Sequence, residues 1–185
     1  MTPTEQLSQI IPALTAVVDR IWYGQLDDPT PCAKFTVHDV LDHMIVLGGS
    51  FAPLFRGEIP SEMTAPAVYG WVPAAEFKVT MEELLAAVQS PGALERVISA
   101  PFGEVDGDTF ARFVAFDGLV HGWDLATATG QTLALPVEVI AAVDAFARQA
   151  IAPAMRDGET FKEPTVVPAD AGPLEHLAAF SGRTV

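Results

Sequence analysis

The apolar residues of this chain recur three and four positions apart in nearly every patterned segment, and this spacing is the strongest constraint on its fold. The first segment shows the spacing most clearly, at Leu7, Ile10, Ile11, Leu14, Val17, Val18 and Ile21. Such a period places apolar side chains on one face of a helix, whereas a strand alternates apolar and polar residues. The sequence therefore predicts an all-α fold, most simply a helix bundle with one or two additional short helices.

Two capping boxes mark the starts of the first two predicted helices. Thr2-Pro3-Thr4-Glu5 combines an N-cap threonine, a proline at the first helical position and a glutamate three residues after the cap. The helix that it opens is predicted to end near Tyr23-Gly24. Thr36-Val37-His38-Asp39 repeats the signal. The second helix then ends at Gly48-Gly49 or continues to about Phe55.

The rest of the chain is predicted to contain four more helices. Thr80-Met81-Glu82-Glu83 has the pattern of a third capping box and predicts a short helix that Pro91-Gly92 stops. A long helix is predicted to begin at Asp108 or Thr109 and to end at Gly130. Two further helices are predicted over residues 136–151 and 173–180. Residues 57–79 are predicted to form a loop, and residues 100–108 fit a turn or a short hairpin.

Composition and charge limit the classes of partner. The 185 residues, half of them hydrophobic, suit a single domain spanning residues 1–185. Ten basic and 24 acidic residues give a net charge of −14, which repels nucleic acid and anionic membranes. The chain has one cysteine, Cys32, no apolar run of membrane-spanning length and no signal-peptide pattern. We expect a cytoplasmic protein that binds small molecules, a metal or another protein chain, with a homodimer as one arrangement.

Three polar residues interrupt the apolar face of the helix that ends at Gly130. Asp117 and His121 are four positions apart and therefore lie above one another on that face, and Asp124 lies three positions further along. A buried carboxylate is costly unless it is paired, hydrogen-bonded or bound to a metal. Asp117 and His121 either satisfy each other as a helical pair or act as metal ligands. This helix alone does not distinguish the two.

A histidine on the second helix favours the metal. His43 lies beside the apolar positions Val40 and Met44, and bundles build metal sites from side chains on facing helices. His43, Asp117 and His121 would supply two imidazoles and one carboxylate. This set suits Zn(II), Fe(II) or Ni(II), and three protein ligands leave a coordination position open for water or substrate.

The other candidate residues are assigned less specific roles. His38 and His176 have polar neighbours and are expected at the surface or in helix caps. Cys32 follows two prolines in a linker and is interpreted as a packed thiol rather than a nucleophile. Tyr69 and Trp71, within the predicted loop, either line a pocket or cover the bundle.

Several motifs occur in an order that resembles one protein family. They are Pro29-Thr30-Pro31-Cys32, Phe35-Thr36-Val37, Leu41-x-His43, Pro91-Gly92-Ala93-Leu94, His121-Gly122-Trp123-Asp124-Leu125-Ala126, Ala128-Thr129-Gly130 and Leu177-x-x-Phe180-x-Gly182-Arg183. The chain resembles the metal-binding proteins grouped with the mycothiol-dependent maleylpyruvate isomerase N-terminal domain, within the DinB-like, YfiT-like superfamily. The resemblance covers nearly the whole chain, and the His-Gly-Trp-Asp block is its most specific part.

The resemblance implies a DinB-like four-helix bundle with a divalent metal, commonly zinc, held by three side chains. The family's first histidine falls on His43, and its Glu-x-x-x-His pair falls on Asp117 and His121. Aspartate at position 117 is one methylene shorter than the family's glutamate, so nickel and iron stay open beside zinc. Asp124, which matches the most specific block, is interpreted as a hydrogen-bond partner that fixes a histidine tautomer.

The family's common chemistry implies the predicted function. In such proteins a metal binds and activates a low-molecular-weight thiol such as mycothiol, so we predict a metal- and thiol-dependent transferase or isomerase acting on a small molecule. A bulky polar thiol needs hydrogen-bond donors, and the candidates are Arg20, Arg56, Arg112 and Arg183. Arg183 is favoured because it belongs to the family's ending. A metal-dependent hydrolase and a non-catalytic protein that binds a metal or a small ligand remain alternatives.

Overall fold

A computed structural model describes residues 1–59, 73–100, 103–156, 158 and 162–185. Within them the helices are α1 (Pro3–Val18), α2 (Val37–Arg56), α3 (Pro73–Val88), α4 (Gly107–Ala128), α5 (Val137–Ala150) and α6 (Pro173–Phe180). The strands β1 (Val97–Ala100) and β2 (Gly103–Asp106) pair antiparallel between α3 and α4. The prediction of an all-α fold is confirmed. Of the turn and the short hairpin that residues 100–108 fitted, the structure has the hairpin, with its strands over residues 97–100 and 103–106.

The first two helices begin at the residues that their capping boxes predict. The Thr2 hydroxyl accepts a hydrogen bond from the Glu5 amide, and the Glu5 carboxylate accepts one from the Thr2 amide. Thr36 and Asp39 make the same reciprocal pair at the start of α2. Of the two ends predicted for α2 the longer is correct, because the helix continues to Arg56.

Three predicted boundaries are wrong. Helix α1 ends at Val18 rather than near Tyr23-Gly24, because the chain tightens there into i→i+3 hydrogen bonds. Helix α3 begins at Pro73, since proline is tolerated in a first turn. Thr80 is therefore a buried residue inside α3 rather than its cap, and residues 73–79 are helical rather than part of a loop. The N-cap of α4 is Asp106, two residues before the predicted start, and its carboxylate accepts from the Thr109 amide.

Helices α1 to α4 form a closed four-helix arrangement. Helix α1 packs on α3 and α4, and α2 packs on α3 and, less extensively, on α4. Helices α5 and α6 lie against the outer side of α4. Helix α4 is consequently buried almost all round, rather than along one apolar stripe as the sequence suggested. No helix in the described part of the chain combines the length and apolar character needed to cross a membrane.

Helix α4 approaches α1 closely because Gly122 has no side chain. A Cβ atom at Gly122 would lie 2.4 Å from Leu14 Cδ2 and 2.9 Å from Leu133 Cδ2, well inside van der Waals contact. Gly122 is the second residue of the His-Gly-Trp-Asp block, so the glycine that permits this packing lies next to His121. The close packing of α1 on α4 thus fixes the position of one candidate ligand.

Candidate metal centre

Helices α2 and α4 run in opposite directions and bring three candidate ligands together. His43 on α2 faces Asp117 and His121 on α4, and Asp117 Oδ1 lies 3.8 Å from His43 Nε2 and 3.6 Å from His121 Nε2. The three ligand atoms all lie within 4.8 Å of one another. No further histidine, cysteine, aspartate or glutamate among the described residues joins this group. The arrangement is that of a three-residue site with room for another ligand.

The three side chains line a cavity of about 390 Å³. The His121 side chain is 8% exposed, whereas the side chains of His43 and Asp117 are 29% and 38% exposed. The exposed parts of these residues contribute to the cavity wall. A small molecule in the cavity therefore lies against the three side chains that carry the ligand atoms.

Hydrogen bonding assigns the tautomer of His121. Its Nδ1 lies 3.1 Å from Oδ2 of Asp124, a carboxylate that can only accept. His121 Nδ1 therefore carries a proton in this bond, and Nε2 is the ring nitrogen that faces Asp117. A histidine that ligates a metal usually donates its other ring N–H to a carboxylate or carbonyl in this way. Asp124 lies within hydrogen-bonding distance of His121, as its predicted role requires, and that role stays a prediction.

Asp124 is completely buried and is held by Arg183. The guanidinium donates from Nη2 to Asp124 Oδ2 at 2.9 Å and from Nε to Oδ1 at 3.3 Å, a two-pronged geometry that suits a carboxylate. Burial by itself would lower the pKa of Arg183, but the hydrogen bonds and charge of Asp124 raise it above the usual value. Arg183 therefore stays cationic and compensates the buried charge of Asp124.

The three candidate ligand atoms have two features of a metal site. His43 Nε2 is buried and has no hydrogen-bond partner among the described residues, which is costly for a polar atom unless something else satisfies it. Tetrahedral zinc sites with nitrogen and oxygen ligands have ligand atoms about 3.4 Å apart. The observed 3.6 and 3.8 Å are close to that value. The donor set and the two separations from Asp117 Oδ1 fit a divalent cation, while the three ligand atoms as a group lie within 4.8 Å of one another.

Electrostatics keep the third ligand ionised. Burial alone would raise the pKa of Asp117, but His121, His43 and Arg183 together hold it below the usual aspartate value. Asp117 therefore presents a carboxylate rather than a carboxylic acid at neutral pH. A carboxylate is the form that binds metals.

The backbone at Gly182 places Arg183 over Asp124. Gly182 has φ +92°, in the region that favours glycine, and a Cβ atom there would lie 2.5 Å from the Cβ of Lys162. The chain turns sharply at this glycine, and the Arg183 amide donates back to the Ala178 carbonyl. The Thr165 hydroxyl donates to the Arg183 carbonyl. The segment after α6 is thus fixed on both sides of Arg183.

The remaining candidates lie elsewhere or have no ligand role in the structure. His38 pairs with Asp42 at 3.7 Å on α2, and His176 is exposed on α6. The other three candidate arginines bond away from the cavity. Arg20 bonds Gln131, Arg56 bonds the Glu83 carbonyl and Arg112 bonds Asp108. Tyr69 and Trp71 lie outside the described residues.

Cys32 lies in the cavity wall, which the sequence did not indicate. The side chain lines the same cavity as the three candidate ligands. Burial raises the pKa of its thiol, an effect that the positive charge of Arg183 only partly offsets. Cys32 is accordingly a neutral thiol at neutral pH, which agrees with its interpretation as a packed residue rather than a nucleophile.

Sequence reasoning also missed two residues of the cavity. The Phe35 ring lies 5.5 Å from the His43 ring and 6.2 Å from the His121 ring, and packs against both. Lys162 lines the cavity from the segment before α6. Phe35 stands in one of the recognised motifs, so a signal for it existed. Lys162 had none, because nothing in its local sequence indicates which part of the bundle it approaches.

Comparison with known proteins supports the same family. The family model described as the mycothiol maleylpyruvate isomerase N-terminal domain matches residues 7–126, a range that includes all three candidate ligands. Two proteins of Mycobacterium tuberculosis, "Uncharacterized protein MT0763" of strain CDC 1551 / Oshkosh and "Uncharacterized protein Rv0738" of strain ATCC 25618 / H37Rv, are similar to the chain. Each is 35% identical over 175 residues, which cover 94% of this chain and 93% of the relative. No solved structure matches the chain significantly.

Proposed function

This chain belongs to the mycothiol maleylpyruvate isomerase N-terminal domain family, and we propose that it is a metal-dependent protein that uses a low-molecular-weight thiol, mycothiol, to transfer or isomerise a small molecule. The observation that carries the proposal is the convergence of His43, Asp117 and His121 on the wall of an open cavity. A purely structural metal would be closed by a fourth protein ligand. Among the described residues there is none.

The proposed metal is zinc, with nickel and iron as alternatives for the same donor set. Two imidazoles and one carboxylate suit all three ions. A bound ion of this kind lowers the pKa of a coordinated thiol, so that a thiolate nucleophile is available at neutral pH. His43, Asp117 and His121 would hold the ion, while Asp124 orients His121.

The end of the cavity nearest the C-terminus supplies polar groups for the thiol. Lys162, Ser181, Gly182 and Arg183 line this part of the cavity, and we refer to them as the polar end. Arg183 uses Nε and one Nη2 proton on Asp124, and its Nη1 group has no acceptor among the described residues. A thiol rich in hydroxyl and amide groups can be bound by such donors. Arg183 thus combines the predicted role in thiol binding with support of Asp124.

Titration of the cobalt-substituted protein with mycothiol tests the proposal. A sulfur-to-cobalt charge-transfer absorption should appear and saturate at one equivalent. It should be lost in His43→Ala and in His121→Ala, because a three-ligand site loses affinity when one ligand is removed. His38→Ala is the matched control, since His38 lies on the same helix as His43 and pairs with Asp42 outside the cavity.

Two outcomes would contradict different parts of the proposal. Metal analysis that shows equal cobalt content in His43→Ala, His121→Ala and the parent protein would overturn the metal site. If the protein binds cobalt normally but shows no sulfur-to-cobalt charge-transfer band with mycothiol or with simpler thiols, the thiol-dependent function is overturned. In that case the hydrolase or the non-catalytic alternative takes its place.

A further inference from the structure

The cavity extends away from the three candidate ligands, between α2 and α4, in the direction opposite to the polar end. On α2 its lining continues from His43 through Leu47 to Phe51. These residues are four apart and lie on one face of the helix. Eight residues of helix span about 12 Å. Leu47, Phe51, Phe110, Phe113 and Val114 line this part of the cavity, which we call the apolar slot.

The slot is lined by aliphatic side chains in the middle and by phenyl rings at the far end. Leu47 of α2 and Val114 of α4 both line the cavity, so a space remains between the two helices at their level. At the far end the Phe51 and Phe110 rings meet edge to face, with centroids 4.9 Å apart. The slot is therefore closed at its far end and opens at the candidate metal ligands.

The charges in the cavity lie on one side of the slot. Among the described lining residues Lys162 and Arg183 are the only permanent cations, and both belong to the polar end. Beyond Asp117, the described residues that line the slot have only aliphatic and phenyl side chains. An anionic group placed there would lose its hydration without gaining a partner, whereas an apolar group would gain from leaving water.

We propose that the apolar slot binds an uncharged apolar group of the substrate, an aromatic ring or an alkyl chain, while the thiol occupies the polar end. This inference rests on the proposed function, in which a thiol and a small-molecule substrate meet at the ligands His43, Asp117 and His121. The two partners then approach the ligands from opposite sides. Maleylpyruvate, the compound in the family's name, carries two carboxylates. The slot thus selects a different, uncharged class of substrate.

Two fluorescent probes that differ by one charged group test this selection. N-phenyl-1-naphthylamine is neutral, and 8-anilino-1-naphthalenesulfonate is the same ring system with a sulfonate. We expect the neutral probe to bind the metal-loaded protein saturably, with one site and enhanced emission. The sulfonate should bind at least about tenfold more weakly, because none of the described residues that line the slot is a cation. Equal affinity for the two probes would overturn the proposal.

Substitutions in the slot locate the bound probe. Leu47→Trp should fill the slot and reduce the affinity for the neutral probe at least about tenfold, while metal content is unchanged. Val79→Trp is the matched control, because Val79 is an exposed residue of α3 that does not line the cavity. Phe51→Ala removes the ring at the far end and should increase affinity for longer apolar ligands. It provides a second test if Leu47→Trp does not fold.

The outcomes separate this inference from the proposed function. Probe binding that is unaffected by both Leu47→Trp and Phe51→Ala would overturn the slot, and cobalt and thiol binding would still stand. Suppose instead that the parent protein binds cobalt, shows no sulfur-to-cobalt charge-transfer band with thiols, and loses probe binding on Leu47→Trp. This result would support the slot and overturn only the thiol-dependent function.

Discussion

Replacing Arg183 with methionine should remove the only cation that pairs with Asp124 among the residues that the structure describes. The Asp124 side chain is fully buried and the Arg183 side chain is 15% exposed, so water cannot easily replace the guanidinium. Methionine keeps much of the length and apolar stem of arginine but has no donor. His121 Nδ1 would then be the only side-chain donor to Asp124 within the described residues.

The expected loss of stability in Arg183→Met is large because the buried charge of Asp124 is left without its partner. Breaking a buried ion pair on one side typically costs about 3–5 kcal/mol. The remaining hydrogen bond from His121 offsets part of this, so we expect about 3 kcal/mol in the free energy of unfolding. Because Asp124 also orients His121, metal affinity should fall by about 10–100-fold.

Urea unfolding in the presence of a chelator measures the change in the free energy of unfolding without the contribution of bound metal. Arg112→Met is the matched control. Arg112 bonds Asp108 at 2.7 Å, but the two side chains are 25% and 41% exposed. An exposed helical pair of this kind contributes about 0.5 kcal/mol or less. Arg112→Met removes one hydrogen bond to a carboxylate and Arg183→Met removes two, and the two sites also differ in burial.

A second substitution separates the charge from the packing. In the Asp124→Asn background the buried charge is absent, so Arg183→Met should cost much less than it does in the parent protein. If Arg183→Met destabilises the parent protein no more than Arg112→Met does, Arg183 does not compensate Asp124. If Arg183→Met lowers the free energy of unfolding as much in the Asp124→Asn background as in the parent protein, packing and not charge is the cause.

Two further predictions concern the bundle itself. Gly122→Ala should destabilise the protein by about 1–3 kcal/mol, because the new methyl meets Leu14 at 2.4 Å. Gly118→Ala has its nearest contacts at 3.5 Å and should be neutral or stabilising by up to about 1 kcal/mol. Thermal unfolding of both variants checks this prediction, and equal effects of the two substitutions would contradict it. Hydrogen bonds from Thr36 lower the pKa of Asp39 below its ordinary 3.8. Above pH 3.8 the parent protein should therefore be more stable than Asp39→Asn, and this difference in the free energy of unfolding should disappear as the pH falls through the lowered pKa. Acid titration of unfolding in both proteins measures the difference, and a difference that persists at lower pH would refute the role of the charge.

The sequence predicted those features that depend on residues close together in the chain. The capping boxes at Thr2 and Thr36 act across three residues, so their hydrogen bonds could be inferred from the residue types alone. The stacking of Asp117 and His121 on one face follows from helical spacing in the same way. The start of α3 could not be inferred similarly, because the pattern at Thr80 also fits a buried turn within a longer helix.

His43 marks the limit of this local reasoning. Its apolar neighbours indicated that it faces the core, and the resemblance to a family paired it with Asp117 and His121. Neither observation fixes a distance. The separations of 3.6 and 3.8 Å depend on how α2 and α4 pack, which in turn depends on the close contact at Gly122 and on side chains from the whole bundle.

By itself, the sequence determined the helical fold and most helix boundaries, because these follow from periodicity and capping within a few residues. The three metal ligands stay a prediction, drawn from helical spacing and from the resemblance to a family. Only the tertiary structure decided what surrounds those residues. Arg183 reaches Asp124 across 59 positions of sequence, and the slot between α2 and α4 is a space left by side chains that are distant in the chain. Such contacts arise from the packing of whole helices, whose relative positions no local pattern encodes.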